Sequence, residues 1–344
     1  MKKVKKLILV GASKDSVHLK NYYNLVKNCF DDILILTNST IDYCNFKIID
    51  FSLNKPLKIV KSIKIVRQII FDYNPSIIHI HQANSYAYIT LKANQKKIPT
   101  VLTTWGSDVL ILPNKGGVYK YIVKFNLKTA NYITADAVYM SNSIQKLIGK
   151  KEVLIANFGI NYNEIKIPIK ENIIYSNRLH NKLYNIDKII AGFYEFLKQN
   201  PDWKLILGGN GRLTKELKEL AKSILPKESY EFVGFVDAEK NQEYYLRSKI
   251  WVSIPSSDGT AISLLEAMGY GCIPVVSDLP ANLEWINSGE NGIVVSNSVQ
   301  QSFRNALLLD IEKIQQKNKT LILNKATKEV NNKKFVSIYN KIIG

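Results

Sequence analysis

A chain of 344 residues with 46% hydrophobic and 22% charged side chains has the make-up of about two globular domains, each long enough to bury a core. That excludes a disordered tail, a coiled coil and a collagen-like repeat, and no apolar run reaches the ~18 residues of a membrane-spanning helix. The net charge of +18 is uneven, with 23 basic and 9 acidic residues in 1–160 against 24 and 20 in 161–344, so the first half suits an anionic neighbour.

Short apolar runs alternate with helix-length mixed stretches along the chain. The runs are LILV (7–10), ILIL (33–36), IIHI (77–80), VLTT (101–104), YIT (132–134), VLIA (153–156), IIYS (173–176), KLIL (204–207), EFVGFV (231–236), WVSI (251–254), PVVS (274–277) and IVV (293–295). Continuous apolar runs fit strands buried on both faces of a parallel sheet. The stretches between them are amphipathic; Ile59, Ile63, Val66 and Ile70 make one helical stripe. The pattern predicts an α/β chain of two doubly wound sheets. Residues 157–172 have no helical period, contain a Gly and a Pro, and mark a change in charge balance, so a domain linker is placed there. The expected units are 1–160, 161–328 and a terminal helix over 329–344. That helix has Phe335, Ile338, Tyr339 and Ile342 on one face and is expected to dock on the first domain. Between two such sheets a cleft is expected, with ligands at the carboxyl ends of the strands.

The basic start, MKKVKKLILVGASKD, lacks the long apolar stretch and cleavage site of a signal peptide, so no export is read. Cys29, Cys44 and Cys272 are odd in number and widely spaced, as in a reducing cytosol. Only five basic residues are Arg, which tilts the anionic partner away from nucleic acid and toward a membrane surface. Lys120, Lys124 and Lys128 form a stripe at helical spacing with Tyr119, Tyr121 and Phe125 interleaved, which suits an interfacial helix as well as a solvated face. Lys55, Lys58, Lys61, Lys64 and Arg67 recur every three residues, so they wind around a helix without making one clean face.

His79 and His81 point the same way on their strand, and His81 falls at its carboxyl end; a ligand contact and a satisfied core His are both compatible with that place. His79 is read as core. Asp108, in TTWGSDV, can bind a hydroxyl or cap a helix. In PSSDGTAISLLEAMGYGCIPVVSD (255–278) a loop enters a helix at about Thr260. Gly259, Thr260, Ala261, Ile262 and Ser263 would turn backbone N–H groups toward an anion. Asp258 and Glu266, eight apart, can flank a ligand lying along the helix start.

This block resembles the signature of the retaining glycosyltransferases of family 4, of the two-domain GT-B fold. The matching positions are Asp258, Glu266, Ala267, Met268, Gly271, Pro274, Val275 and Val276, followed by SDLPANLEWI and GENGIVV. IIYSNRLHNKLYNIDKII (173–190) resembles the segment that presents an Arg to the donor diphosphate, which makes Arg178 that residue. The family's Lys five positions later is Leu183 here; either Lys182 substitutes or the diphosphate has one fewer cationic partner. LILGGNG (205–211) resembles the turn at the nucleotide, implying Gly208 and Gly209, and EFVGFVD resembles the loop at the base, implying Gly234, Phe235 and Val236. In the first half the resemblance implies His81 against the donor sugar, Asp108 toward the acceptor, and the loop VGASKDSVH (10–18), with Gly11 and His18, near the diphosphate or the acceptor. That loop has a single Gly where the family has a pair, and Trp105 stands where a His is common.

The resemblance implies transfer of a sugar from a nucleoside diphosphate sugar to a saccharide hydroxyl with retention, Arg178, Lys182, Asp258 and His81 being catalytic and Glu266 holding the ribose. It implies no cofactor beyond that co-substrate and no metal, and no Asp-x-Asp pair follows a strand. A lipid-linked acceptor for a surface polysaccharide, at the inner face of the plasma membrane, is the expected setting. A sugar-nucleotide epimerase of the same fold is the alternative, with a basic nucleic-acid-binding protein behind it.

Overall fold

The structure, a computed structural model, describes residues 4–12, 16–162 and 165–343. It divides into two units. One comprises Met1–Gly159 with Lys328–Gly344, and the other Ile160–Thr327.

The first unit is built on β1 (Lys6–Val10), β2 (Asp32–Thr37), β3 (Phe46–Ile48), β4 (Ile77–His81), β5 (Thr100–Thr103), β6 (Tyr132–Ala135) and β7 (Val153–Ile155). The sheet order is β3-β2-β1-β4-β5-β6-β7, all pairs parallel. Its helices are α1 (Ser16–Val26), α2 (Pro56–Tyr73), α3 (Ser85–Asn94), α4 (Gly117–Thr129) and α5 (Val138–Ile148). β4 is buried along its whole length, which explains its unbroken apolar and His sequence. β3 was not legible: it is a three-residue edge strand whose Lys47 and Ile48 are exposed, so no apolar run announces it.

The second unit contains β8 (Glu171–Ser176), β9 (Lys204–Gly208), β10 (Tyr230–Gly234), β11 (Ser248–Ser253), β12 (Ile273–Ser277) and β13 (Ile293–Val295), again parallel, in the order β10-β9-β8-β11-β12-β13. The helices are α6 (Ile186–Leu197), α7 (Thr214–Ile224), α8 (Ala238–Arg247), α9 (Ile262–Gly269), α10 (Pro280–Leu283), α11 (Val299–Leu307) and α12 (Ile311–Lys325). Phe193, Phe196 and Phe303 pack in one helical layer, and Trp251, Tyr175 and Met268 on the opposite side of the sheet. A last helix, α13 (Lys328–Ile343), belongs to the first unit. Its Phe335, Ile338 and Tyr339 are buried against Tyr22, Phe30 and Leu7.

In both sheets the first strand is flanked by the second and by the strand that reverses the winding, so each has one switch point: β1/β4 in the first and β8/β11 in the second. Loops leaving the carboxyl ends at such points diverge and leave room for ligand between them.

Candidate active site

At the β8/β11 switch point the loop after β8 places Arg178, and the loop after β11 places Asp258. The Arg178 guanidinium donates to Asp258 Oδ2 at 2.5 Å and to Ser263 Oγ at 2.7 Å. Its plane lies over the Tyr184 ring, 4.4 Å from the centroid. Arg178 Nε is buried without a partner. The two loops are tied by main-chain and side-chain bonds: Ser256 N–H donates to the Leu183 carbonyl at 2.8 Å, and the Asn185 amide to Ile254 O at 2.8 Å. Lys182 lies in the same single turn, Lys182–Tyr184, and is exposed.

The helix after Asp258 starts later than its sequence suggests. Ala261 is extended at the N-cap, and α9 begins at Ile262 instead of about Thr260. Thr260 is buried, its hydroxyl accepting from the Trp285 indole at 3.3 Å, which holds it out of the helix. Gly259 N–H donates to Asp258 Oδ1 at 3.0 Å. Ser263 is the second helical residue and the one that meets Arg178. Glu266 follows one turn later, half-buried, accepting from the Tyr245 hydroxyl at 3.0 Å.

The glycines at the end of β9 and after it pack closely on neighbouring chain. Gly209 has φ +98° and donates to Gly234 O at 2.6 Å; a Cβ on it would stand 2.6 Å from the Arg178 carbonyl oxygen. A Cβ on Gly211 would stand 2.3 Å from His180 O. Gly208 faces the Tyr175 hydroxyl and Val236. Gly209 and Gly211 thus let the chain pass close to the 178–180 backbone that carries Arg178. Gly234 turns at φ +69°, Phe235 is 77% exposed, and Val236 is half-buried.

At the β1/β4 switch point His81 is fully buried among Tyr22, His79, Trp105 and Phe158. The Trp105 indole N–H donates to His81 Nδ1 at 3.1 Å, while Nε2 is buried without a partner. Burial, reinforced by the nearby His18, pushes the His81 pKa down to about 3, so the ring is neutral. An indole can only donate, so Nδ1 is the acceptor and Nε2 carries the proton. His79 lies deeper and is satisfied by Tyr22 and Tyr339 at 2.9 and 2.7 Å and by Thr103 at 2.7 Å.

Asp108 is buried inside the turn Ser107–Ile111. Its carboxylate accepts from the N–H of Ala83 at 2.6 Å and of Trp105 at 3.0 Å. It therefore ties the loops after β4 and β5 together. The alternative of a helix cap is corrected, since a cap accepts from residues that follow it in its own helix. Gly11 donates to Leu36 O at 3.1 Å and packs on Leu19, where a Cβ would be 2.8 Å from Cδ1. His18 is exposed and meets Trp105 edge-on at 5.2 Å. Residues 13–15 of that loop lie outside the described residues.

Of the basic stretches, Lys120 and Lys128 are exposed and Lys124 is half-buried, beside exposed Tyr119 and Tyr121. On α2 the exposed Lys58, Lys61, Lys64 and Arg67 step around the helix by about 60° each, as their spacing implies, so Lys61 and Lys64 share the outward side with Leu57 and Phe71 while Lys58 and Arg67 flank the buried Ser62, Val66 and Ile70. No helix among the described residues is long and apolar enough to cross a membrane.

Comparison with known proteins gives the same two-part division. Residues 162–328 match the family of glycosyl transferases group 1, and residues 6–137 the glycosyl transferase 4-like family. An alpha-monoglucosyldiacylglycerol synthase of Streptococcus pneumoniae is 27% identical over 27% of this chain, and an uncharacterised glycosyltransferase of Methanocaldococcus jannaschii is 28% identical over 56% of it. The matches span 21% and 52% of those relatives' own lengths. Among solved structures, Anabaena HepE in complex with UDP superposes with a TM-score of 0.82 at 14% identity, covering 98% of this chain and 100% of that one. Each of the two units thus matches a glycosyltransferase family model, and the two parallel-sheet units have the GT-B fold.

Proposed function

We propose that the chain is a family 4 enzyme that transfers a sugar from a nucleoside diphosphate sugar to a hydroxyl of a saccharide acceptor with retention of anomeric configuration. The observation that carries this reading is the Arg178–Asp258–Ser263 cluster at the switch point of the second sheet. A guanidinium and the start of a helix converge there, an arrangement suited to a diphosphate. The complexes of HepE with UDP and with UDP-glucose support a donor of that class.

In this reading the donor diphosphate takes Arg178 over from Asp258, and the released carboxylate turns to the donor sugar's hydroxyls. The bond from C1 to the diphosphate oxygen breaks as the acceptor oxygen bonds to C1 on the same face, and the acceptor's proton passes to the leaving diphosphate. Charge accumulates on that leaving group, so Arg178 stabilises the transition state more than the bound donor. Lys182 is the second cation for it. Glu266 holds the ribose, and the 234–236 turn borders the base. His81 serves as a neutral donor to a sugar oxygen, and Asp108 holds the loop that positions it. Gly11 and His18 line the acceptor side.

The acceptor is a lipid-linked saccharide of a surface polysaccharide, approached by a chain that sits peripherally on an anionic membrane face. Isothermal calorimetry of the native chain with UDP, GDP and ADP tests the reading. One of them should bind at micromolar concentration, and Arg178→Ala and Glu266→Gln should weaken it. If none of the three binds, the reading is wrong.

A further inference from the structure

Glu266 is held from behind by a hydrogen-bond chain whose every direction is forced. The Trp251 indole N–H, which can only donate, points at Asn177 Oδ1 at 2.9 Å. Asn177 must then present its NH2 on the other side. One hydrogen goes to the Tyr245 hydroxyl oxygen at 2.7 Å and the other to Asn241 Oδ1 at 3.1 Å. Asn241 Oδ1 also accepts from Tyr175 at 2.6 Å, so it is an acceptor as well. With its oxygen taken by Asn177, Tyr245 gives its own proton to Glu266 Oε2 at 3.0 Å. Trp251, Tyr175 and Tyr245 are all buried. Burial, with the Glu266 charge adding to it, raises the Tyr245 pKa well above its usual value, so the phenol keeps that proton.

Two features set this chain apart from ordinary core satisfaction. It runs through Asn177, the residue before Arg178. Its near end is a carboxylate that is only half-buried, on the same helix as Ser263, which Arg178 also grips. The chain therefore ties together β8, α8 and α9 at the point where the cation and the carboxylate emerge.

We propose that Tyr245 and Asn177 are positioning residues that set the Glu266 carboxylate against Arg178, so that the ribose and diphosphate parts of a nucleotide are gripped as one unit. This rests on the donor-site reading given above. Tyr245 itself touches no substrate; it restricts the carboxylate to one orientation, and what is lost with it is preorganisation.

The experiment uses the full chain with UDP, GDP and ADP as probes. Tyr245→Phe removes only the hydroxyl and leaves Asn177 bonded to Asn241. It is expected to melt within a few degrees of the native chain and to bind the preferred nucleotide about tenfold more weakly, the size of one charge-assisted hydrogen bond. With the matching donor sugar, its KM should rise while kcat changes little. In the Glu266→Gln background the same substitution should cost less than twofold, because the carboxylate it orients is gone. Native-like affinity in a folded Tyr245→Phe chain overturns the proposal while leaving the donor reading intact. So does a loss that adds in full to that of Glu266→Gln. A native chain that binds none of the three nucleotides overturns both.

Discussion

Arg178 and Asp258 sit 80 residues apart in sequence and 2.5 Å apart in space, each on the loop that leaves a strand at the switch point of the second sheet. Their side chains are only 12% and 23% exposed, so the pair is poorly screened. A diphosphate that binds here must compete with Asp258 for the guanidinium.

That competition gives a first prediction. Asp258→Asn removes the competing charge, so nucleoside diphosphate affinity by calorimetry should rise several-fold. Donor turnover should fall at least tenfold, because the proposed contact with the sugar is lost. Weaker binding in this variant would count against the exchange of partners.

Arg178→Ala is expected to lower turnover about a hundredfold and nucleotide affinity less, since the leaving group's charge grows in the transition state. Lys182→Ala is the companion. The Lys182 side chain is exposed and stands on the turn that carries Tyr184 under the guanidinium. A tenfold fall in kcat would assign it the second cationic role, and native kinetics would show that the leaving group relies on Arg178.

Much of this arrangement was legible in the sequence. Each of the twelve apolar runs read as strands overlaps a strand; the central ones are buried on both faces and so apolar throughout, while the edge strands β7, β10 and β13 are only partly buried. The motif positions Arg178, Asp258 and Ser263 bring their side chains together. What was hidden depends on partners far along the chain. Nothing local to Tyr245 or Asn177 tells of a shared hydrogen bond across 68 residues. Asp108 reads as a cap or a ligand because both are exposed roles for Asp; its service to Ala83 N–H exists only once β4 and β5 are paired. The α9 helix starts at Ile262, two residues beyond the Thr260 that local sequence suggests, because the Thr260 hydroxyl is claimed by Trp285, a bond no helix propensity contains.

The two buried histidines predict an acid-sensitive first unit. Burial lowers the pKa of His79 well below the ordinary value near 6.5, and that of His81 to about 3. Below about pH 6.5 the unfolded chain takes up protons that the folded chain refuses, so stability falls as pH falls, by about 1.4 kcal/mol per unit for each His. The contribution of His81 to this loss is complete near pH 3. Hydrogen-exchange protection of β4 and β5 should therefore drop between pH 6.5 and 5, and His81→Gln should roughly halve the slope. Protection that stays level over that interval would refute the sign.

Trp105 controls which nitrogen of His81 carries the proton. Trp105→Phe keeps an aromatic ring at the position and removes the N–H, leaving Nδ1 without its donor at 3.1 Å. Nitrogen NMR of the native chain should show His81 as a single Nε2–H tautomer, and Trp105→Phe should populate the Nδ1–H form. An unchanged tautomer in the variant would mean that other contacts set it.

The last prediction concerns the surface of the first unit, where basic residues outnumber acidic ones 23 to 9 over positions 1–160. On α2, Leu57 is 86% and Phe71 79% exposed, on the outward side with Lys61 and Lys64, and Arg67 is exposed at its flank. On α4, Val118 and Tyr121 are exposed beside Lys120. Large apolar side chains in water beside cations suit the interface of an anionic bilayer, where the rings enter the headgroup region and the charges meet phosphates. Each cation near such a surface contributes about 1 kcal/mol, so three of them shift partitioning by roughly a hundredfold. Sedimentation with vesicles of anionic lipid should carry the chain down at low salt, and neutral vesicles should not. Changing Lys61, Lys64 and Arg67 to Gln should release it, and raising the salt should do the same. Leu57→Ser with Phe71→Ser should weaken binding without altering its salt slope, because those residues contribute burial and no charge. The set Lys120, Lys124 and Lys128→Gln reports separately on α4, where Lys124 is already half-buried and fewer charges face outward. Its effect should be smaller than that of the α2 set. Binding indifferent to lipid charge would remove the membrane from this account, and equal effects of the two sets would remove the preference for α2.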